Sequence, residues 1–372
     1  MKVNILIHGW ANYHSQSLYY PILVNRGDLA KRNVEVEIHT QINKKITNGD
    51  VLILDNRYFR EDSPIHSDSN GEKTRSLVSS WSKKVERILW FDNSDAAGLI
   101  WPDLLPLVDG YYKNQIFKDK NQYLDPIYSE GEFPLGLHED YYYRYGHLDT
   151  SEAYLKPVLE EPNLLDKLHV SWNIGMKPFH FANKNYEKIL NYLPKSIGER
   201  FPYESLLRLP KMWHEVGSDR PIDISGRFSL NRRKEAINYH RTSCRDLLPD
   251  STNTDRLPRR EYWRELRKAK ILISPFGYGT VCLRDFEGFL NGNIIIKPFM
   301  DEIKTWPPLY QEGETYIGFE WGLDDLGKVV DECIQNYQSK KKIAENGQKE
   351  YKSYMLNGSD TFSKRFVDII QP

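Results

Sequence analysis

Arg284 and Glu287 stand three residues apart, just after the glycine turn Gly277-Tyr278-Gly279-Thr280, which itself follows the apolar run Ile271-Leu272-Ile273. With a helix opening near Val281, that spacing puts a guanidinium and a carboxylate on one helical face. A strand, a flexible turn and a helix N-terminus make an anion site, because free backbone N–H groups and the helix dipole point at whatever sits there. A cation beside a phosphate and a carboxylate able to grip a sugar's hydroxyl pair suit a nucleotide-sugar. Further cations gather at Arg227, Arg232 and Arg233, after the short strand pattern Ile222-Asp223-Ile224-Ser225. Guanidinium pairs with phosphate oxygens in bidentate fashion. A solvated basic turn has the same composition, and Arg232 and Arg233 are not separable by pattern.

Groups able to move a proton lie in the first half of the chain. The run Arg87-Ile88-Leu89-Trp90-Phe91 ends in Asp92-Asn93-Ser94-Asp95-Ala96-Ala97-Gly98. A carboxylate at such a strand end can deprotonate an acceptor hydroxyl as general base. Asp is also an ordinary capping residue. Asp92 directly follows the strand and suits the cap; Asp95 lies further into the turn and is the first choice for the base. His8, after Val3-Asn4-Ile5-Leu6-Ile7, is a third catalytic candidate, His14 is as ambiguous as His8, and Asp55 and His138 are weaker ones. No Asp-x-Asp triplet follows a strand, and Asp92-x-x-Asp95 has the wrong spacing for that metal-holding device. Fixed charges and helix N-termini can stabilise a departing nucleotide without a divalent ion, so no catalytic metal is expected.

The elements that must carry these groups alternate. Strand patterns at Val3–Ile7, Val34–Ile38, Asp50–Leu54 and Arg87–Phe91 are separated by helical stretches, as in a parallel α/β sheet whose strand ends face a ligand cleft. The tyrosine-dense segment from Gly110 to Gly146 reads as helix and long loops over that cleft. Ser171 to Gly175 and the prolines at 178, 194 and 202 mark a crossover, after which Arg220–Arg227 restarts a βα pattern. The expected division is 1–200, an acceptor-side Rossmann-like domain; 201–358, a second Rossmann-like domain carrying the glycine turn; and 359–372, a helix.

Ser274, Pro275, Gly277, Gly279, Arg284, Glu287, Gly292 and Ile294–Ile296 together resemble the donor-binding half of GT-B glycosyltransferases, particularly the exostosin-like group. The likeness covers Tyr262 to Leu326. One departure is Lys297, where the pattern is usually apolar. The resemblance implies an α/β protein of two Rossmann-like domains facing a cleft, with the C-terminal helix crossing back to the first. It implies transfer of a sugar from a nucleotide-sugar to a saccharide or lipid-linked glycan acceptor, in the making of a surface polysaccharide. It assigns Arg227, Arg232, Gly277, Tyr278, Gly279, Thr280 and Arg284 to the donor's nucleotide end, and Glu287 to its ribose or sugar hydroxyls. No cofactor is implied beyond the nucleotide-sugar co-substrate. An epimerase or hydrolase on the same fold, and a non-catalytic sugar-binding protein, are the rival expectations.

Composition narrows the setting. The 372 residues suffice for two domains, each with its own core. With 51 basic and 52 acidic residues the net charge is −1, so no global field recruits nucleic acid. Cys244, Cys282 and Cys333 match neither a disulfide framework nor a zinc pattern, which suits a reducing cytoplasm. No apolar run reaches the roughly 18 residues a membrane span needs, and Met1-Lys2 leads into a strand rather than a signal peptide. The expected location is the cytoplasm, with peripheral contact at the inner membrane face allowed. Aromatics make up 13% of the chain; such rings stack on sugars as well as filling cores.

Overall fold

The structure is a computed structural model, and it describes residues 1–10, 12–59, 71–130, 133–134, 142, 145–151, 153–177, 213–217, 219–230, 235–356 and 359–371. The prolines at 178, 194 and 202, with Arg232, Arg233 and His138, lie outside these residues.

Two parallel sheets organise the chain. The first contains β1 (Lys2–Leu6), β2 (Glu35–His39), β3 (Val51–Asp55), β4 (Arg87–Asp92) and β5 (Gly110–Lys113). β6 (Gln115–Phe117) leaves it, β7 (Pro126–Glu130), β8 (Phe133–Pro134) and β9 (Ala153–Pro157) form an antiparallel flap, and β10 (Leu168–Val170) completes the sheet. Its order is β10-β5-β4-β3-β1-β2, all parallel. β3 is buried at every position, as a central strand covered on both faces must be, and its Val-Leu-Ile-Leu run supplies the apolar surface. β1 runs to β2 on one side and the chain then returns to β3 on the other. The crevice beyond the C-terminal ends of β1 and β3 is therefore a topological switch point, where open sheets bind ligands.

The helices α1 (Tyr13–Val24), α2 (Arg26–Lys31) and α3 (Glu72–Trp81) belong to this half. α1 is capped by Asn12, whose side chain accepts from the N–H groups of His14 and Ser15. The expectation of helix and loops from Gly110 to Gly146 is corrected. Gly110–Lys113 is β5, buried within the parallel sheet, and β6 and β7 follow it. Its tyrosines point into packing: Tyr111 and Tyr123 are fully buried. Tyrosine is a good strand former when its ring is covered and its hydroxyl has a partner.

The second sheet runs β11 (Ile222–Ser225), β12 (Ala269–Ile273), β13 (Ile294–Pro298) and, after the short β14 (Ile303–Thr305), β15 (Ile317–Phe319), in the parallel order β11-β12-β13-β15. Its helices are α4 (Glu235–Asp246), α5 (Arg259–Lys268), α6 (Leu283–Asn291), α7 (Leu326–Gln335) and α8 (Tyr337–Leu356). Gly292 ends α6 with a φ of 65°, the left-handed C-cap conformation that glycine adopts without strain. β14 pairs antiparallel with β6, so a strand from the second half is stitched to the first.

The last helix, α9 (Ser359–Ile370), returns to the first half. Phe362, Phe366, Ile369 and Ile370 join the same core as α1 and the strands β1 and β3. Burying each such side chain contributes about 1.5–3 kcal/mol. Arg87 also donates to the Ile370 carbonyl at 2.8 Å. The fold class is thus two Rossmann-like α/β sheets with a C-terminal helix crossing back, the GT-B arrangement. Cys244, Cys282 and Cys333 are all free thiols. No helix among the described residues is long and apolar enough to cross a membrane.

Candidate active site

The glycine turn of the second half meets the aspartate turn of the first. A Cβ on Gly279 would lie 1.9 Å from the Asp95 carbonyl oxygen and 2.8 Å from Gln115 Nε2. Only glycine permits that approach. Gln115, the first residue of β6, bridges the two turns: its Nε2 donates to the Asp95 carbonyl, and its Oε1 accepts from the Val281 N–H at 3.3 Å. Beside this contact opens a cavity of about 220 Å³, lined by His14, Ser17, Asp95, Ile174 and Lys177 from the first half and by Tyr278, Gly279, Val281, Cys282 and Leu283 from the second.

Asp95 lines this cavity and is partly exposed. Asp92 is fully buried. Its Oδ1 accepts from Asn56 Nδ2 at 2.6 Å and the Ser94 N–H at 2.7 Å, and its Oδ2 from the Tyr111 hydroxyl at 2.6 Å. Lys113 Nζ lies 3.7 Å from Asp92 and donates to the Ser94 carbonyl at 3.0 Å. A carboxylate so enclosed shapes the turn that Asp95 stands on. His8 is half-buried and does not belong to the cavity lining; its backbone N–H bonds the Asp55 carboxylate. Asp55 is itself buried, accepting from the Ser15 hydroxyl at 2.5 Å, and burial pushes its carboxyl above the usual range. His14 does reach the cavity. Arg57 Nη2 lies 3.2 Å from His14 Nδ1 and donates to the Asn93 carbonyl at 2.8 Å. A guanidinium only donates, so His14 Nδ1 accepts and the ring proton sits on Nε2.

On the second half the helix opens later than expected. Cys282 is the N-cap of α6, and the Asp285 carboxylate takes the Cys282 N–H at 3.1 Å. Arg284 lies in the first turn. Its Nη1 donates to the Pro275 carbonyl at 3.1 Å and to the Ser274 hydroxyl at 3.3 Å. Its Nε and Nη2 make no hydrogen bond among the described residues, so part of the fork is available to an anion. Arg227 is different. Nε and Nη2 both engage Glu265, the closest at 2.6 Å, and Nη1 donates to the Asp255 carbonyl at 3.2 Å. Its guanidinium is committed within the protein. Arg241 was missed in the sequence. Buried, it donates to the Phe276 carbonyl at 3.0 Å and to the carbonyls of Phe228 and Ser229, and its Nη2 stands 3.2 Å from where a Gly277 Cβ would be.

Glu287 sits one turn after Arg284, half-buried, and accepts from the Tyr262 hydroxyl at 3.1 Å. Burial pushes its carboxyl above the ordinary 4.5, while Arg259, Tyr262, Arg284 and Lys177 pull it back down. Tyr278 is 39% exposed at the cavity edge. Thr280 is buried, and its carbonyl accepts from Lys297 Nζ at 3.0 Å. That lysine, the departure from the family pattern, is fully buried on β13 and pairs with Asp285 at 2.7 Å. Tyr310 donates to the same Asp285 oxygen at 2.8 Å, and its ring faces the ammonium at 4.3 Å. A lysine closing an Ile-Ile-Ile run is the signal that a buried carboxylate waits opposite. Nothing in the local pattern marked Gln115, Ser17 or Lys177. Among the described residues no group of three His, Cys, Asp or Glu side chains is placed to hold a metal ion.

No family model matches the chain, and no curated protein matches its sequence. Solved structures are similar in arrangement along its whole length. An alpha-glucosyltransferase in complex with UDP-glucose and DNA containing an abasic site has 12% identity and a TM-score of 0.43, over 100% of this chain and 99% of that one. T4 phage BGT in complex with its UDP-glucose substrate has 10% identity and a TM-score of 0.44, over 100% of both. The glycotransferase of kitacinnamycin has 8% identity and a TM-score of 0.37, over 98% of both. Likenesses this loose fix neither activity nor substrate.

Proposed function

We propose that the chain is a glycosyltransferase that moves a sugar from a nucleotide-sugar to a hydroxyl of a saccharide or glycan acceptor, as in surface polysaccharide assembly. The observation that carries this reading is the cavity where Asp95 of one half faces the glycine turn and helix N-terminus of the other. In this reading residues 1–200 form the acceptor side, 201–358 hold the donor, and 359–372 tie the donor side back to the first domain. The exostosin-like assignment of the donor half rests on Ser274, Gly277, Gly279, Arg284, Glu287 and Gly292 standing at the family's spacing.

Asp95 takes the proton from the acceptor hydroxyl as its oxygen bonds the anomeric carbon. The bond from that carbon to the nucleoside diphosphate breaks, and the diphosphate carries away the electron pair. The first-turn N–H groups of α6, the helix dipole and the uncommitted part of Arg284 stabilise that charge, without a metal ion. Glu287 grips donor hydroxyls. Asp92 positions the base turn, and Arg227, bound to Glu265, supports the donor side rather than touching phosphate. At about 220 Å³ the cavity is smaller than the roughly 300–1,000 Å³ of typical ligand pockets, and in this reading the halves part at the Gly279–Asp95 contact to admit the donor.

A thermal-shift screen against UDP, GDP, CMP and their sugars tests this. A true donor nucleotide at a hundredfold excess over Kd should add about 2.7 kcal/mol of stability. If no nucleotide or nucleotide-sugar raises the melting temperature at millimolar concentration, the proposal fails.

A further inference from the structure

Where the two halves are stitched together, a second cavity of about 210 Å³ opens between β10, the β6–β14 ladder and α9. Lys120 and His169 reach it from the first half, Lys304, Thr305 and Trp306 from β14 and beyond, and Arg365 from α9. No Asp or Glu lines it. The Lys304 ammonium makes no hydrogen bond or ion pair among the described residues. Arg365 donates through Nη2 to the Val170 carbonyl, while its Nε is buried and bonded to nothing among them. Lys120 Nζ donates once, to the Leu165 carbonyl at 2.9 Å, and keeps two further protons.

These cations strain against one another. The Lys120 ammonium is held below its ordinary range by burial, with Asp166 opposing the shift and Lys304 adding a smaller push downward. His169 is pushed down by burial, then by Lys120, Arg365 and Lys304, with Asp166 again opposing. Asp166, and Asp368 beside Arg365, are the nearby acids, and neither lines the cavity. Like charges gathered in a partly enclosed site are relieved by a bound anion.

We propose that this cavity binds a small phosphate-bearing anion, bridging Lys120 and His169 of the first half to Lys304 and Arg365 from the returning segments. A water occupies about 30 Å³ of liquid, so a cavity of about 210 Å³ holds a phosphate or diphosphate with a few waters. Such a ligand ties the two halves together beside the β6–β14 ladder, at a place separate from the candidate active site.

The test is calorimetric titration of the whole chain with inorganic phosphate and with pyrophosphate, at constant ionic strength set by chloride. Saturable binding of one anion is expected, weakened at least about tenfold by Lys304→Glu and by Lys120→Met, as loss of a charge-assisted hydrogen bond dictates. Arg284→Met, at the proposed donor site, should leave it unchanged. The His169 imidazole resonance should titrate at higher pH with phosphate present, because a neighbouring anion favours the charged ring. Absence of saturable binding at millimolar phosphate overturns the proposal. So does binding that survives both lysine variants but disappears in Arg284→Met, which would place the anion in the donor site.

Discussion

Glu287→Gln separates a structural role from a functional one, because the two predict opposite changes in stability. The Glu287 carboxyl is raised above 4.5, first by burial, with Arg259, Tyr262, Arg284 and Lys177 acting against it. The sign follows from linkage. A native state that holds the proton more tightly than the unfolded chain has its full stability below the unfolded pKa, and loses part of it as pH rises through the folded value. At neutral pH the buried charge is therefore a cost, which glutamine removes. Glutamine keeps the shape, and its Oε1 can still accept from the Tyr262 hydroxyl now 3.1 Å away. Glu287→Gln should melt at the same or a higher temperature than the parent at pH 7, and the gap should be wider at pH 7 than at pH 4. Turnover should fall meanwhile. One hydrogen bond between a carboxylate and a donor hydroxyl is worth roughly 1.5–3 kcal/mol, or about ten- to hundredfold in rate. Melting curves from pH 4 to 7, beside an assay of nucleoside diphosphate release, measure both. Parent-level turnover would refute the donor-hydroxyl role; a melting temperature that drops at pH 7 would refute the claim that the carboxylate is kept at the expense of stability.

Asp95→Asn keeps the turn but removes the base. Turnover should fall at least about a hundredfold while nucleotide affinity stays unchanged; if turnover survives here but is lost in His14→Ala or His8→Ala, the base is that histidine. Lys297→Met leaves Asp285 buried without its cation and should destabilise the protein by about 3–5 kcal/mol in denaturant unfolding. A loss well below that would show that Tyr310, Ser274 and the Cys282 N–H suffice to hold the carboxylate.

The alternation of apolar strands and helices was legible because parallel strands covered on both faces must be continuous apolar runs, as Val51–Leu54 and Ile294–Ile296 are. Gly110–Lys113 was not legible. Its Gly-Tyr-Tyr-Lys sequence has a glycine and a lysine at positions buried in the sheet, and the Asp92 carboxylate and the Ser94 carbonyl make the lysine tenable there. The site divides in the same way. Asp95, Tyr278 and Gly279 stand at strand ends, where local pattern and topology agree, and all three line the cleft cavity. Gln115 is held by a hydrogen bond from the other half and Lys177 acts by its charge on Glu287 of that half, relations that no local period records. For Arg227 the obstacle was its partner Glu265, 38 residues distant in sequence.

Each half faces the cleft with the same device. Lys113, at the end of β5, sits beside the buried Asp92 and donates to the Ser94 carbonyl; Lys297, on β13, pairs with the buried Asp285 and donates to the Thr280 carbonyl. Ser94 and Thr280 are the immediate neighbours of Asp95 and Gly279, the two residues that touch across the cleft. Packing alone does not call for these lysines, since well-fitted apolar replacements of a buried ion pair are often neutral or stabilising. A leucine could fill either space, but it could not hold a carbonyl oxygen in place. What the two ammonium groups add is a fixed turn on either side of the cavity, held by charge-assisted hydrogen bonds that are stronger than neutral ones. Fixed supports of this kind suit the proposed transfer, in which a base on one half and an anion site on the other have to meet in register.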